Sequence, residues 1–151
     1  MDSNDVLLNQ ADAPSNSYDD TLELKRMVRA FATNEIARAQ VRMDETGEFP
    51  YDCWHKWSEL GMAGILISDD YGGSNFDAYS YIVAMEEVAR VSQTFALIWQ
   101  VHVLVGNMYQ VLGTAEQKTN WLHRFATGEI LGAFGLTEPN AGSDAGGVQT
   151  K

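Results

Sequence analysis

One stretch constrains this chain more than any other. Leu97, Ile98, Val101, Leu104, Val105, Met108, Val111 and Leu112 recur at helical spacing between Thr94 and Gly113. Together they cover more than one face of a helix. A helix apolar over so much of its girth has to be surrounded, so the pattern predicts a central helix in the middle of a bundle. Ser92 or Thr94 starts it and Gly113 ends it.

The flanking segments supply the surrounding helices. Asp19 and Asp20 favour the positive end of a helix dipole, and Leu24, Met27, Val28 and Phe31 follow at i, i+3, i+4 and i+7. This first helix is expected to run to about Ala39. Thr46-Gly47-Glu48-Phe49-Pro50 breaks the pattern, and Pro50 opens a second helix through Trp54, Trp57 and Leu60 that stops at Gly61. Gly64-Ile65-Leu66-Ile67 is a short apolar run, followed by a loop through Gly72-Gly73. Asp77 caps the next helix, with Ile82, Met85 and Ala89 as its expected inward face. Thr114 and Gln117 have capping-box spacing ahead of Trp121, Leu122 and Phe125.

The character then changes. Ile130-Leu131-Gly132-Ala133-Phe134-Gly135-Leu136 is short, apolar and bounded by turn residues, as a buried strand would be. Thr137 to Gly147 is turn-rich, and Val148-Gln149-Thr150 resembles the start of another strand. The expected architecture is mainly α, with a flexible lead-in over 1–17 and a helical bundle domain over 18–128. Residues 129–151 are expected to begin a β-barrel-like domain that remains incomplete, because one or two strands cannot satisfy their own edges.

Composition narrows the function classes. Ten Lys and Arg against 21 Asp and Glu leave a net charge of −11, with the cations scattered. Gripping nucleic acid or an anionic membrane surface requires clustered cations, so both are excluded as partners. Cys53 is the single cysteine and makes no intrachain disulfide; it is read as a buried structural thiol. No uninterrupted apolar run is long enough for a bilayer, and the N-terminus has no secretion-signal pattern, so a cytoplasmic location is expected. His55, His102 and His123 stand alone and are read as solvated or packed side chains, with no metal site expected.

The segment that can carry chemistry is Thr137-Glu138-Pro139-Asn140-Ala141-Gly142-Ser143-Asp144. Pro139 fixes one dihedral and Gly142 permits unusual ones, so the loop can turn several N–H groups toward an anion or a carbonyl-rich ring. An ordinary strand-to-strand turn has the same composition. Glu138, the carboxylate before Pro139, is read as a local cap or pairing group and not as a general base.

Gly132 to Leu136 followed by Thr137 to Ala145 resembles the flavin-binding signature of the acyl-CoA dehydrogenases. Leu60 to Ile65 with Asp70 to Gly73, Met85 to Arg90, and Gly113 to Lys118 with Trp121-Leu122 resemble earlier stretches of that family, in the expected order. The resemblance spans roughly 18–151. It implies FAD as cofactor and α,β-dehydrogenation of an acyl thioester, either acyl-CoA or a carrier-protein thioester. It also implies electron-transfer flavoprotein or another acceptor as partner, and a homodimer or homotetramer. By position, Phe134, Leu136 and Thr137 match residues that meet the flavin ring. Gly142 and Ser143 match residues near its phosphate-bearing portion, and Ser143 also matches one along the pantetheine arm. Position 135 is Gly where the family often has Ala or Cys. Gln100 stands where the family lines its acyl-chain tunnel, and Trp99 would either pack the core or shorten that tunnel. No catalytic residue is expected within this chain, since the resemblance puts the base, a Glu, beyond Lys151. Related flavin oxidases and monooxygenases share the fold. A non-catalytic helical interaction module, or a half-subunit requiring a partner chain, is the alternative from another class.

Overall fold

A computed structural model describes residues 16–150; the expected lead-in, apart from Asn16 and Ser17, lies outside them. Six α-helices form the described architecture: α1 (Tyr18–Phe31), α2 (Ala37–Thr46), α3 (Tyr51–Glu59), α4 (Ala78–Ala89), α5 (Gln93–Leu112) and α6 (Ala115–Ala126).

Helix α1 starts from a capping box. The Ser17 hydroxyl accepts from the Asp20 N–H, while the Ser17 N–H donates to the Asp20 carboxylate. The helix does not stop near Ala39. It passes through a π-helical turn, Ala32–Ile36, and continues as α2 to Thr46, where Gly47 takes a left-handed φ of 69°. The sequence pattern faded because α2 buries only Met43, with Val41 exposed and most other positions polar. The widened turn re-aims the inward stripe, so that Leu24, Val28, Ala32 and Ile36 all reach the core.

The core is built on aromatic edges and faces. Trp57 and Trp99 meet at 4.9 Å nearly perpendicular, Trp57 also meets Phe95 at 5.9 Å, and Phe31 packs on Trp57 at 5.2 Å. Such pairs contribute about 0.5–1.5 kcal/mol each beyond the area they bury. Trp99 is fully buried and donates its indole N–H to the Met62 carbonyl at 2.7 Å, so it is a core residue. The run Gly64 to Ile67 lies in turns beneath the bundle, with Ile65 and Ile67 buried. Gln110 of α5 fastens it, accepting from the Ser68 N–H at 2.7 Å and donating to the Leu66 carbonyl at 2.9 Å. Cys53 is buried, and burial pushes its thiol up to about 11, as suits a structural thiol.

Two helix faces differ from expectation. In α4 the inward positions are Ser80, Ala84, Glu87 and Val88, while Ile82 and Ala89 are exposed and Met85 is half-buried. A charged residue takes an inward position because three cations meet it. Arg29 donates to both Glu87 oxygens at 2.8 and 2.7 Å, Arg90 donates at 3.0 Å, and Lys25 lies at 3.5 Å. The Arg29 hydrogen bonds hold the Glu87 carboxyl below its ordinary range.

Helix α5 is not enclosed on all sides. It buries Phe95, Ala96, Trp99, His102, Val103 and Gly106, yet leaves Leu97, Leu104, Met108, Val111 and Leu112 exposed. By length and composition alone it is also long and apolar enough to cross a membrane, as the core helix of a bundle can be. Its buried face packs against α4 and α6, and its His102 and Gln110 side chains bond to the rest of the bundle. Helix α6 begins as expected, with Thr114 and Gln117 forming a capping box.

Candidate functional site

The candidate site is the segment that leaves α6, and two glycines hold its departure close to the bundle. The first is Gly128, which has a left-handed φ of 69° and whose carbonyl accepts from the Trp54 indole N–H at 3.2 Å. A Cβ at Gly128 would collide with the Ser58 side chain, so both the φ and the close approach require glycine.

The second is Gly132. Its N–H donates to His102 Nδ1 at 3.2 Å. Because that nitrogen accepts, the proton sits on Nε2, which lies 3.1 Å from the Phe125 carbonyl and donates to it. The His102 ring is 1% exposed and stands edge-on to Trp54 at 4.8 Å. Burial pushes its pKa down to about 4, so it is neutral near pH 7. A Cβ on Gly132 would lie 3.0 Å from the His102 Cα and 3.0 Å from the Val105 Cβ. Glycine therefore lets the exit segment lie against α5.

Beyond Gly132 the chain has no regular secondary structure and is not a buried strand. Among the described residues no strand is formed, and Leu131, Phe134 and Leu136 are 40%, 49% and 42% exposed. Val148 to Thr150 likewise forms no strand. A strand needs a neighbouring strand to satisfy its backbone, and none is within reach. The N–H groups of residues 133–137 and the Thr137 hydroxyl make no hydrogen bond among the described residues.

The segment is caught again at Glu138. Glu138 and Ala141 exchange backbone hydrogen bonds at 2.9 and 3.1 Å, closing a turn over Pro139 and Asn140. The Glu138 carboxylate accepts from the N–H groups of Gln149 and Thr150, both at 2.9 Å, and from the Thr150 hydroxyl. These bonds, led by the Thr150 hydroxyl, lower its pKa, so Glu138 is a clamp for the loop. Gly142 and Ser143 lie just past the clamp, both exposed, with open space where a Gly142 Cβ would be. Among the sequence-derived candidates, Phe134, Leu136 and Thr137 thus share one exposed irregular stretch, and Gly142 and Ser143 share the loop after it. Gln100 is exposed on α5, on the same outer face as Leu97 and Leu104. Among the described residues no group of three His, Cys, Asp or Glu gathers as metal ligands would.

The acyl-CoA dehydrogenase N-terminal domain matches residues 18–129. The chain belongs to the acyl-CoA dehydrogenase family. It is 46% identical over 129 residues to the probable acyl-CoA dehydrogenase YngJ of Bacillus subtilis, covering 85% of this chain and 34% of that protein. Butyryl-CoA dehydrogenase from Megasphaera elsdenii superposes with a TM-score of 0.80 at 33% identity, over 91% of this chain and 37% of that one. An acyl-CoA dehydrogenase complexed with FAD from Bacillus anthracis superposes with a TM-score of 0.79 at 31% identity, over 93% and 25%. The chain spans about a third of the length of the curated relatives it matches. As an acyl-CoA dehydrogenase N-terminal domain, it owes its bundle to the aromatic core and presents the exit segment at the edge of α5.

Sequence reasoning missed His102 as the residue that ties these parts together. A signal was present: one imidazole between Val101 and Val103 in the most apolar helix, a position that burial tolerates only with both ring nitrogens bonded.

Proposed function

We propose that this chain forms the N-terminal, cofactor-facing part of an FAD-dependent acyl-CoA dehydrogenase that desaturates an acyl thioester between its α and β carbons. One observation carries the reading: Phe134, Leu136 and Thr137 sit on an exposed stretch whose backbone donors are uncommitted, among the described residues, between the Gly132 and Glu138 anchors. Those donors and side chains fit a flat, carbonyl-rich ring: Phe134 and Leu136 offer apolar contact, and the Leu136 and Thr137 N–H groups with the Thr137 hydroxyl offer hydrogen bonds. Gly142 allows close backbone approach by the phosphate-bearing part of the cofactor, and Ser143 adds a hydroxyl there and along the pantetheine arm.

When bound, FAD supplies the acceptor for the hydride that leaves the β carbon. This chain's part is to hold the ring and to line the acyl group. The outer face of α5, with Leu97, Gln100 and Leu104, borders the space for the acyl chain, and Gln100 is its polar member. Removing an α-proton requires a carboxylate base and hydrogen bonds to the thioester carbonyl, where negative charge grows. Glu138 is committed to Gln149 and Thr150, so the base lies elsewhere in the complete active site. Residues 18–128 form the helical domain, and 129–151 lead into a β domain that supplies the missing strand partners. A carrier-protein thioester fits the same chemistry as CoA. The surrounding system includes an electron-transfer flavoprotein as acceptor, a homodimer or homotetramer and a cytoplasmic location.

FAD titration with visible absorption tests this, using the chain alone and together with a polypeptide supplying the remaining two-thirds of the relatives' length. The expected result is bound flavin in at least the second case, weakened about tenfold by Thr137→Val through loss of one hydroxyl hydrogen bond. No flavin in either case overturns the reading in favour of a helical interaction module. Affinity unchanged by Thr137→Val removes the role given to that residue.

A further inference from the structure

We propose that His102 is a positioning residue that sets the placement of the cofactor-facing stretch through Gly132. This rests on the flavin reading above and adds a residue to it that touches neither cofactor nor substrate.

Between Gly132 and Glu138 no backbone N–H is held by a protein acceptor among the described residues. Phe134, Leu136 and Thr137 therefore hang between two fixed points, about 20 Å apart at full extension. The downstream point is Glu138, held by Ala141, Gln149 and Thr150. The upstream point is the Gly132 N–H on His102 Nδ1, reinforced by a glycine too closely packed on α5 to accept a side chain.

His102 is itself over-determined. Its Nε2–H is taken by the Phe125 carbonyl at the end of α6, and its ring is walled by Trp54 at 4.8 Å and Phe125 at 5.6 Å. Donation at Nε2 leaves Nδ1 as an obligate acceptor, aimed at Gly132. One imidazole thus transmits the position of three elements, α3, α5 and α6, to the exit segment. A purely structural histidine would need its ring satisfied but would not need its acceptor on this residue.

The two ring nitrogens can be separated by substitution. His102→Asn keeps an acceptor at the δ position and loses the ε donor, whereas His102→Gln keeps a donor at the ε position and loses the δ acceptor. Amide hydrogen exchange by NMR then reads Gly132 directly. The expected result is Gly132 protection within about threefold of the unaltered chain in His102→Asn. In His102→Gln, a tenfold or greater loss at Gly132 is expected, with the amides of α1 and α4 unchanged. FAD affinity should follow the same order, held in Asn and lowered about tenfold in Gln. Equal Gly132 exchange in the two variants overturns the proposal, as does equal FAD affinity where the unaltered chain binds FAD. Should either variant fail to fold, the imidazole nitrogen spectrum of the unaltered chain decides: an unprotonated, hydrogen-bonded Nδ1 supports the role and a protonated Nδ1 overturns it. Failure of the flavin reading shows differently, as no FAD binding by the unaltered chain while the Gly132 split between variants persists.

Discussion

Two short apolar runs of this chain look alike on paper and end in opposite surroundings. Gly64-Ile65-Leu66-Ile67 is tucked beneath the bundle, with Ile65 fully buried and Gln110 holding the backbone at both Leu66 and Ser68. Ile130 to Leu136 is similarly apolar, yet Leu131, Phe134 and Leu136 stand largely exposed and one hydrogen bond to His102 holds the backbone at Gly132. Apolar sequence states that a surface needs covering. It does not state what covers it. The first run is covered by helices of its own domain, whereas among the described residues Leu131, Phe134 and Leu136 of the second stay exposed.

The comparison makes its strongest demand on stability. Ile65→Ala should cost about 3 kcal/mol, since it opens a cavity in a packed core, and urea unfolding measures it. A cost below about 1 kcal/mol would mean that the first run is as loosely held as the second.

Acid should then reveal the joint between the bundle and the exit segment. His102 is pushed down to about 4 in the folded chain, against an ordinary 6.5. The unfolded chain therefore binds the extra proton first, and stability falls as pH drops from 6.5 toward 4. Above 6.5 this contribution is fully present, and below 4 its loss is complete. The shift corresponds to about 3 kcal/mol. Denaturant curves at pH 7 and pH 4.5 should show this part of the acid loss in the unaltered chain and not in His102→Asn. An identical acid response in both would assign the loss to carboxylates such as Glu87, whose lowered pKa also removes stability on acidification.

The smallest effect sharpens the contrast. Leu136→Ala should change the stability of this chain by less than about 0.5 kcal/mol, because an exposed side chain has little packing to lose. A cost of 2 kcal/mol or more would show that the exit segment is covered in solution.

Much of the fold was legible because local physics wrote it into adjacent residues. The Asp77 cap, the Thr114–Gln117 box, the stop at Gly61 and the apolar rhythm of α1 each depend on groups within a few positions of one another. The candidate site was legible as an ungapped run of residues resembling a family signature, from Gly132 to Ala145. What failed to appear was everything set by distant partners. The inward turn of Glu87 depends on Arg29, 58 positions away, and the continuation of α1 through a π turn depends on what Ile36 and Met43 meet in the core. The expected strand at 130–136 was a statement about composition, whereas strand formation is decided by a second strand.

The sequence by itself determined where the capped helices begin, where glycine stops the helix through Trp57, and which segment resembles a flavin-binding loop, because caps, glycines and periodicity act over one or two turns of chain. Only the tertiary structure decided that α5 keeps one face bare, that Glu138 is spent as a clamp and that His102 holds Gly132. Those outcomes rest on burial and on hydrogen bonds closed across 11 to 30 positions, and no local pattern encodes which distant group will arrive to complete them.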